Sequence, residues 1–594
     1  MNKTIQFLLL VLCMITPLML DAQDKQKPNI IFVMTDDQGM GDLACTGNPY
    51  VKTPNIDKFY DDAIRFTNYH VGTTCAPTRS GIMSGRHCNR VNVYHTIMGR
   101  SILLEDEVIL PQVLARNGYT NAMYGKWHLG DNYPYRPEDR GFHEVVRHGA
   151  GGIGQGPDYW MNDYFDDTYW HNGEEQKYEG YCTDVFFDEA LNFIEKNKDN
   201  PFFCYIATNA PHGPYNLPKE YYDMYRGKKF EGLNSRLLRF YGMITNVDDN
   251  FKRLEKKLDE LELTDNTILI FTTDNGTSAG RSTYNAGLKG GKGSQYDGGH
   301  RVPLFIRWPN GELTGGKDIE KLAASYDLLP TFVDLLDLDF NPVKPLDGKS
   351  LAPLMTRENP EWPNRILYID TQREQNLIKY KKYTVMDDNW RLVDGNELYY
   401  ITDDLGQDNN VIEQYPEVAG RLAEGYERWW QSFIDEGADE KYAYIKVGTP
   451  HENPTKISAH DLIIGAYKGV WHQNGAIQGE QAGGSWKIEF VTGGEYNITL
   501  RRFPRESSHA INATFPAQVE RIELDRTAPA SVKNDYTQAR FYVAGISKNA
   551  EIEEGQSEVT FKVNVPAGKY DMEAQLIDSA KRVHPAYYVY IEKL

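Results

Sequence analysis

Cysteine is scarce in this chain: there are six in 594 residues, and no two form a CxxC pair. A zinc ribbon or a thioredoxin-like redox site is thereby excluded. Long basic tracts are also missing. The 64 Lys and Arg face 84 Asp and Glu, a formal charge of −20. That balance excludes a nucleic-acid binder of the usual basic kind, and an anionic ligand needs a locally basic pocket or a bound cation. Past the N-terminus no apolar run approaches the length of a membrane span, and no low-complexity tract occurs. What remains is an ordinary globular composition, 40% hydrophobic and 25% charged. The length calls for roughly two to four domains.

At the N-terminus, Lys3 precedes an apolar run over 5–20 that is interrupted by Pro17 and followed by Ala22. It is short for a spanning helix and reads as a cleaved export signal over 1–22, which places the mature protein in the periplasm or outside the cell. Cys45, Cys75, Cys88, Cys182 and Cys204 then remain, an odd number, so at least one is unpaired. Cys182 precedes a helix and Cys204 lies in an apolar strand, the settings of structural thiols. Cys75 sits instead in TTCAPTRSGIMSGRH (73–87), a small, polar, Gly-rich stretch that suits neither a buried thiol nor a simple staple.

PNIIFVMTDD (28–37), PFFCYIATNAPHG (201–213) and TILIFTTDNG (267–276) are apolar runs that stop abruptly at polar residues. Each reads as a buried parallel strand with polar groups at its carboxyl end. Helix-like stretches such as 184–197 and 235–261 alternate with them. The expected fold is α/β, a mostly parallel sheet flanked by helices, with ligands collecting outside the strand ends. Short strand-like segments from about 361, followed by a helix over 416–435, suggest an antiparallel subdomain over 361–446. VGTPHENPTK (447–456) reads as a linker. Period-2 alternation beyond it implies a β-sandwich over 457–594.

Asp36 and Asp37 are adjacent carboxylates at one strand end, and Asp274 and Asn275 stand at another. Such residues can simply cap helices, but together they form an all-oxygen set suited to Ca²⁺ or Mg²⁺. Lys126 and His128 in GKWHLG, His212 in APHGP, Lys292 in GGKG and Arg79 after the cysteine add cations beside Gly or Pro in predicted loops. Singly these are ordinary surface or packing residues. Jointly they make a cationic cup beside a divalent ion, fit for sulfate or phosphate.

Cys75-Ala-Pro-Thr-Arg79 followed by Ser80-Gly-Ile-Met-Ser-Gly-Arg86 resembles the signature of the type I sulfatases. The companions DD, GKWH, a histidine after a strand, DNG and GKG follow in family order over roughly 27–440. The resemblance implies an alkaline-phosphatase-like domain over 23–360, with the 361–446 subdomain completing the sulfatase fold. It implies that a maturase converts Cys75 to formylglycine (3-oxoalanine). Hydrated to a diol, that residue would attack sulfur through one hydroxyl and expel sulfate by deprotonation of the other. The resemblance further assigns Ca²⁺ to Asp36, Asp37, residue 75, Asp274 and Asn275. Arg79 and Lys126 would stabilise the alkoxide, His128 would act as base, and Lys292 and His212 would hold sulfate, with His212 also the acid for the leaving alcohol.

The alcohol itself is not named by the motifs. His95 and Arg100 in HTIMGR, and Trp160 and Trp170 in the loop 151–173, are candidates to line the pocket, the tryptophans by stacking on sugar rings or by packing as core. Trp471 and His472 either extend the site or pack in the sandwich. An exported sulfatase with a β-sandwich resembles bacterial enzymes acting on sulfated polysaccharides, marine algal ones among them. A phosphonate or phosphate monoester hydrolase, a noncatalytic glycan-binding protein and a free-thiolate hydrolase remain as alternatives.

Overall fold

The computed structural model describes residues 27–370, 372–465 and 469–594. The expected export signal over 1–22 lies outside the described residues. Ten strands form one sheet: β1 (Asn29–Thr35), β2 (Ile64–Phe66), β3 (Thr120–Gly125), β4 (Glu144–Arg147), β5 (Thr168–His171), β6 (Glu174–Lys177), β7 (Phe202–Ala207), β8 (Thr267–Thr273), β9 (Leu304–Arg307) and β10 (Asp318–Ile319). Their spatial order is β10-β2-β9-β8-β1-β7-β3-β4-β5-β6. The run from β8 through β1, β7 and β3 to β4 is parallel. Strand β9 is antiparallel to both its neighbours, and β5 and β6 close the far edge as an antiparallel pair.

The unbroken apolar run of β1 has a simple cause: both faces of this sheet are covered. Ile31 and Val33 point into a core shared with Phe186 and Phe240, while Ile30, Phe32 and Met34 point into another shared with Leu110 and Leu329. The helices involved are α1 (Cys75–Ser84), α2 (Leu110–Arg116), α3 (Cys182–Asn197), α4 (Ser235–Glu260) and α5 (Leu328–Leu335). Helices α3 and α4 lie on the first face, and α1, α2 and α5 on the second. The start of α4 is fixed by Asn234, whose side chain accepts from the Leu237 amide at 2.9 Å.

A four-stranded antiparallel sheet over 367–400 follows, covered by α6 (Pro416–Ile434). Tyr426, Trp429, Trp430 and Phe433 on one stripe of α6 pack on Tyr383, Val385, Leu392 and Leu398. The expected antiparallel subdomain is therefore present, as is the mixed α/β fold.

The C-terminal region is a sandwich of a seven-stranded and a four-stranded sheet. It begins before the expected linker: Ile445–Val447 already pairs with Gly484–Phe490, and Thr455–Ser458 pairs with Tyr588–Lys593. Within the stretch 447–456, Glu452 accepts from Asn132 Nδ2 and the Tyr133 amide, each at 2.8 Å. This segment ties the domains together instead of spacing them. The sandwich core also takes in Ile102, Leu104, Tyr135 and Trp160 from the catalytic region. Trp160 makes edge contacts with Phe503 and Tyr588, so its ring is packing between domains and not a sugar platform.

Candidate active site

Three backbone hydrogen bonds draw the strand ends together. The Asp36 amide donates to Ala210 O at 3.0 Å, the Asp274 amide to Thr35 O at 3.1 Å, and the Lys126 amide to Ala207 O at 2.7 Å. Polar residues following β1, β3, β7 and β8 are thereby delivered to one crevice, as parallel sheets dictate. Asp37 sits there with φ of 69°, a left-handed conformation that Asp tolerates better than most residues. Gly276 follows Asn275 because a Cβ there would stand 1.9 Å from Gly298 O.

Helix α1 brings the nucleophile position. Cys75 is its first residue, 3% exposed, and all ten residues of the helix are buried. Thr78 Oγ1 donates to Asp274 O at 2.6 Å, which fixes the helix to the end of β8. One turn beyond Cys75, Arg79 donates to Asp274 Oδ2 through Nη2 at 2.7 Å and to Lys126 O through Nη1 at 2.8 Å. Ligand atoms of Asp36, Cys75 and Asp274 lie within 4.8 Å of one another, and so do those of Asp36, Asp37 and His212.

The charges balance in pairs. Lys126 Nζ lies 2.6 Å from Asp36 Oδ2, Lys292 Nζ 2.6 Å from Asp37 Oδ1, and Arg79 holds Asp274. Burial raises the Asp36 carboxyl against the pull of Lys126, and raises Asp274 to about 6 with Asp36 adding to it. Asp37 resists the same burial, because Lys292 and His212 hold it below the usual carboxylate range. Lys292, despite burial, is held charged by Asp37.

Both histidines are neutral at neutral pH. Burial, then Lys126, pushes His128 far below its ordinary value. Its Nε2 faces Thr96 O at 3.0 Å and therefore carries the proton, which leaves Nδ1 as a buried acceptor without a partner among the described residues. Burial pushes His212 down to about 3, with Asp37 opposing. Its Nδ1 faces Gly213 O at 2.7 Å, so Nε2, 3.8 Å from Asp37 Oδ2, is the unprotonated nitrogen.

The donor set fits a hard divalent cation. Asp36 Oδ1 and Asn275 Oδ1 are buried oxygens without hydrogen-bond partners among the described residues, a situation that costs about 1–3 kcal/mol each unless something binds them. An oxygen-ligated ion such as Ca²⁺ or Mg²⁺ answers that need.

Beside Asp37 and His212 opens a cavity of about 340 Å³, lined on one side by Ile153, Tyr164 and Tyr215 and on the other by His472, Asn474 and Arg526 of the sandwich. Of the predicted pocket residues, His95 lies next to Thr96, the partner of His128, with its ring tilted against Trp471 at 5.7 Å. Arg100 is elsewhere. It is fully buried, donates to Gln375 O at 2.8 Å and Lys441 O at 2.7 Å, and lies 3.9 Å from the Tyr442 ring. Arg100 is not among the residues that line the cavity, and its bonds to Gln375 and Lys441 pin the loop. Trp170 faces a separate cleft with Arg147, Glu175 and Lys456. The sequence reading missed Arg236, Gln473 and Arg526, which carry no motif and reach the cavity only through domain docking. All five cysteines of the described residues are free, Cys182 and Cys204 completely buried.

A crevice that pairs oxygen ligands for a cation with two lysines and two neutral histidines, beside the first turn of a helix, can hold and polarise a tetrahedral oxyanion ester. That is the chemistry of hydrolases with the alkaline-phosphatase-like fold. The chain belongs to the sulfatase family: the family profile matches residues 28–338, just over half the chain. A second profile, N-sulphoglucosamine sulphohydrolase, C-terminal, matches 291–427. The chain is 29% identical over 479 residues to the uncharacterized sulfatase YdeN of Escherichia coli, covering 67% of this chain and 84% of that one. It is 30% identical over 361 residues to the N-acetylgalactosamine-6-sulfatase of Homo sapiens, covering 56% and 66%. The crystal structure of Ps i-CgsB in complex with k-i-k-neocarrahexaose superposes with a TM-score of 0.61 at 28% identity, over 68% of this chain and 93% of that one. The protein is a sulfuric ester hydrolase, and no described helix is long and apolar enough to cross a membrane.

Proposed function

We propose that the protein removes sulfate esters from a sulfated polysaccharide, such as a marine algal one, or from its oligosaccharides, after export to the periplasm or beyond. Cys75 acts as formylglycine, made by a maturase, and Ca²⁺ is held by Asp36, Asp37, Asp274, Asn275 and residue 75. The observation that carries this is the cluster of Asp36, Cys75 and Asp274 at ligating distance, with two unpartnered oxygens beside it. Support for a glycan comes from relatives whose names specify N-acetylgalactosamine-6-sulfate or a neocarrahexaose complex.

A hydrated aldehyde at position 75 supplies one hydroxyl to attack sulfur and a second whose deprotonation expels sulfate. The cation supplies positive charge against the sulfate and the attacking oxygen. This chain's own residues do the rest. His128 takes the proton at Nδ1, the nitrogen left open by its bond to Thr96. Lys126 and Arg79 hold positive charge beside residue 75. Lys292 donates to a sulfate oxygen. His212 enters unprotonated; an anionic ester beside Nε2 raises its proton affinity, it takes up a proton from solvent, and it passes that proton to the leaving alcohol.

The test is the mass of the tryptic peptide FTNYHVGTTCAPTR (66–79) from native-host protein, together with paired sulfate and phosphate esters as substrates. Formylglycine at 75 with sulfate release is the expected result. Unmodified cysteine in an active preparation refutes the diol mechanism, and faster phosphate release refutes the sulfatase assignment at this site.

A further inference from the structure

The sandwich is docked onto the catalytic domain by side chains that leave two arginines unspent. Gln473, 4% exposed at the start of α7 (Gln473–Gln478), donates from Nε2 to Gln155 O, Asp158 O and Tyr159 O, and its Oε1 accepts from the Met161 amide at 2.9 Å. Gln518 and Arg521 both donate to Asp163 Oδ2 at 2.6 Å. Arg239 donates to Ile522 O and Glu523 O. These contacts make the sandwich one wall of the 340 Å³ cavity that opens on Asp37 and His212.

Arg236, at the first turn of α4, and Arg526, on the sandwich, line that cavity from opposite domains. Both reach toward a single carboxylate, Asp525, at 3.6 Å and 3.9 Å, too long for hydrogen bonds. Asp525 is itself 7% exposed and bound to the Tyr215 and Asn216 loop. Among the described residues neither guanidinium has a hydrogen-bond partner; Arg236 lies 5.0 Å from the Tyr215 ring centroid, and both side chains are more than half exposed. His472 lines the same cavity as His212 and Arg526. Two guanidiniums sharing one carboxylate leave a net positive charge in a chain that is otherwise strongly acidic. The volume is that of a small-ligand site, enough for one substituted sugar.

We propose that this pair is a second anion subsite: Arg236 and Arg526 hold another anionic group, sulfate or carboxylate, on the sugar whose sulfate ester is cleaved beside Asp37 and His212. The inference rests on the sulfated-glycan reading above. It makes the sandwich a selector of substrates instead of a separate carbohydrate-binding appendage. Guanidinium suits such a role because its forked donors match either oxyanion in two-point contact.

The experiment measures kcat and KM for wild type, Arg526→Ala, Arg526→Lys, Arg236→Ala and a control on the outer face of α6, Arg428→Ala. Probes are D-glucosamine 6-sulfate against D-glucosamine 2-N,6-O-disulfate, and N-acetylgalactosamine 6-sulfate against its uronate-bearing disaccharide. 4-Nitrophenyl sulfate reports the bare chemistry. The expected result is a preference of wild type for at least one doubly charged sugar, falling about tenfold or more in the alanine variants through KM. Arg526→Lys recovers part of it and Arg428→Ala keeps the wild-type ratio. The pair of probes that carries the effect tells sulfate from carboxylate. A preference unchanged within about twofold in both alanine variants overturns this inference alone. Wild type that cleaves 4-nitrophenyl sulfate but none of the sugars overturns the glycan reading and this inference with it.

Discussion

Replacing Lys126 by alanine separates the two compensations that the carboxylate cluster needs. Lys126 and Asp36 are both fully buried, 2.6 Å apart, and Asp36 Oδ1 already lacks a partner. Without the lysine, three carboxylates face only Arg79 and Lys292. Removing one member of a buried pair costs about 3–5 kcal/mol, because the remaining charge keeps its desolvation without its counterion. A divalent ion seated among Asp36, Asp37 and Asp274 repays part of that loss. The stability deficit of Lys126→Ala is therefore expected in full in EDTA and reduced by about 1.4 kcal/mol or more in saturating Ca²⁺, equivalent to tenfold tighter ion binding by the variant. Urea denaturation at fixed pH in the two solutions reads the first quantity, and calorimetric titration with Ca²⁺ reads the second. Equal deficits in both solutions, or weaker Ca²⁺ binding by the variant, refute the placement of the ion beside Asp36.

Gly151 has no room for a side chain, since its Cβ would lie 2.2 Å from His128 Cε1. Gly151→Ala is expected to shift the imidazole and lower kcat about a hundredfold with a smaller change in KM, the size of a lost general base; unchanged kcat contradicts the role given to His128. Outside the cavity lining, burial raises the Asp370 carboxyl to about 7, with Gln372 and Tyr426 donating to it in opposition. A carboxyl whose folded value exceeds its unfolded value of 3.8 favours the protonated fold, so wild-type stability falls as pH rises from about 4 to about 7. Asp370→Asn should flatten that fall by an amount on the order of 1–4 kcal/mol, read as denaturation midpoints across that range.

Much of the site was legible because its chemistry sits where chain patterns change. The apolar runs Ile30–Met34 of β1 and Ile268–Phe271 of β8 read as strands covered on both faces, and the carboxylates that stop them then lie at the sheet's edge. Cys75 and Arg79 were legible as parts of one motif, and the structure sets them one helical turn apart against the same carboxylate cluster. Arg100 and Trp160 were ambiguous because an arginine or tryptophan near a site has the same letters whether it faces ligand or backbone. Only the partners, Gln375 O and Lys441 O for one and Phe503 for the other, distinguish the two. Arg236 and Arg526 were illegible for a different reason. They lie 290 positions apart in the sequence and meet through docking of two domains, which no local periodicity encodes.

The complete burial of α1 sets a deadline. Cys75 opens a helix with no exposed residue, pinned by Thr78 and Arg79 to the end of β8. An enzyme that must grip several residues around this thiol finds nothing to grip once the sheet has closed. On the proposed formylglycine reading, conversion of Cys75 and folding of the catalytic domain would compete, and whichever is faster would decide whether a given molecule becomes active. Chains that folded first would then be finished but inert, and a maturase added to them afterwards would have no substrate.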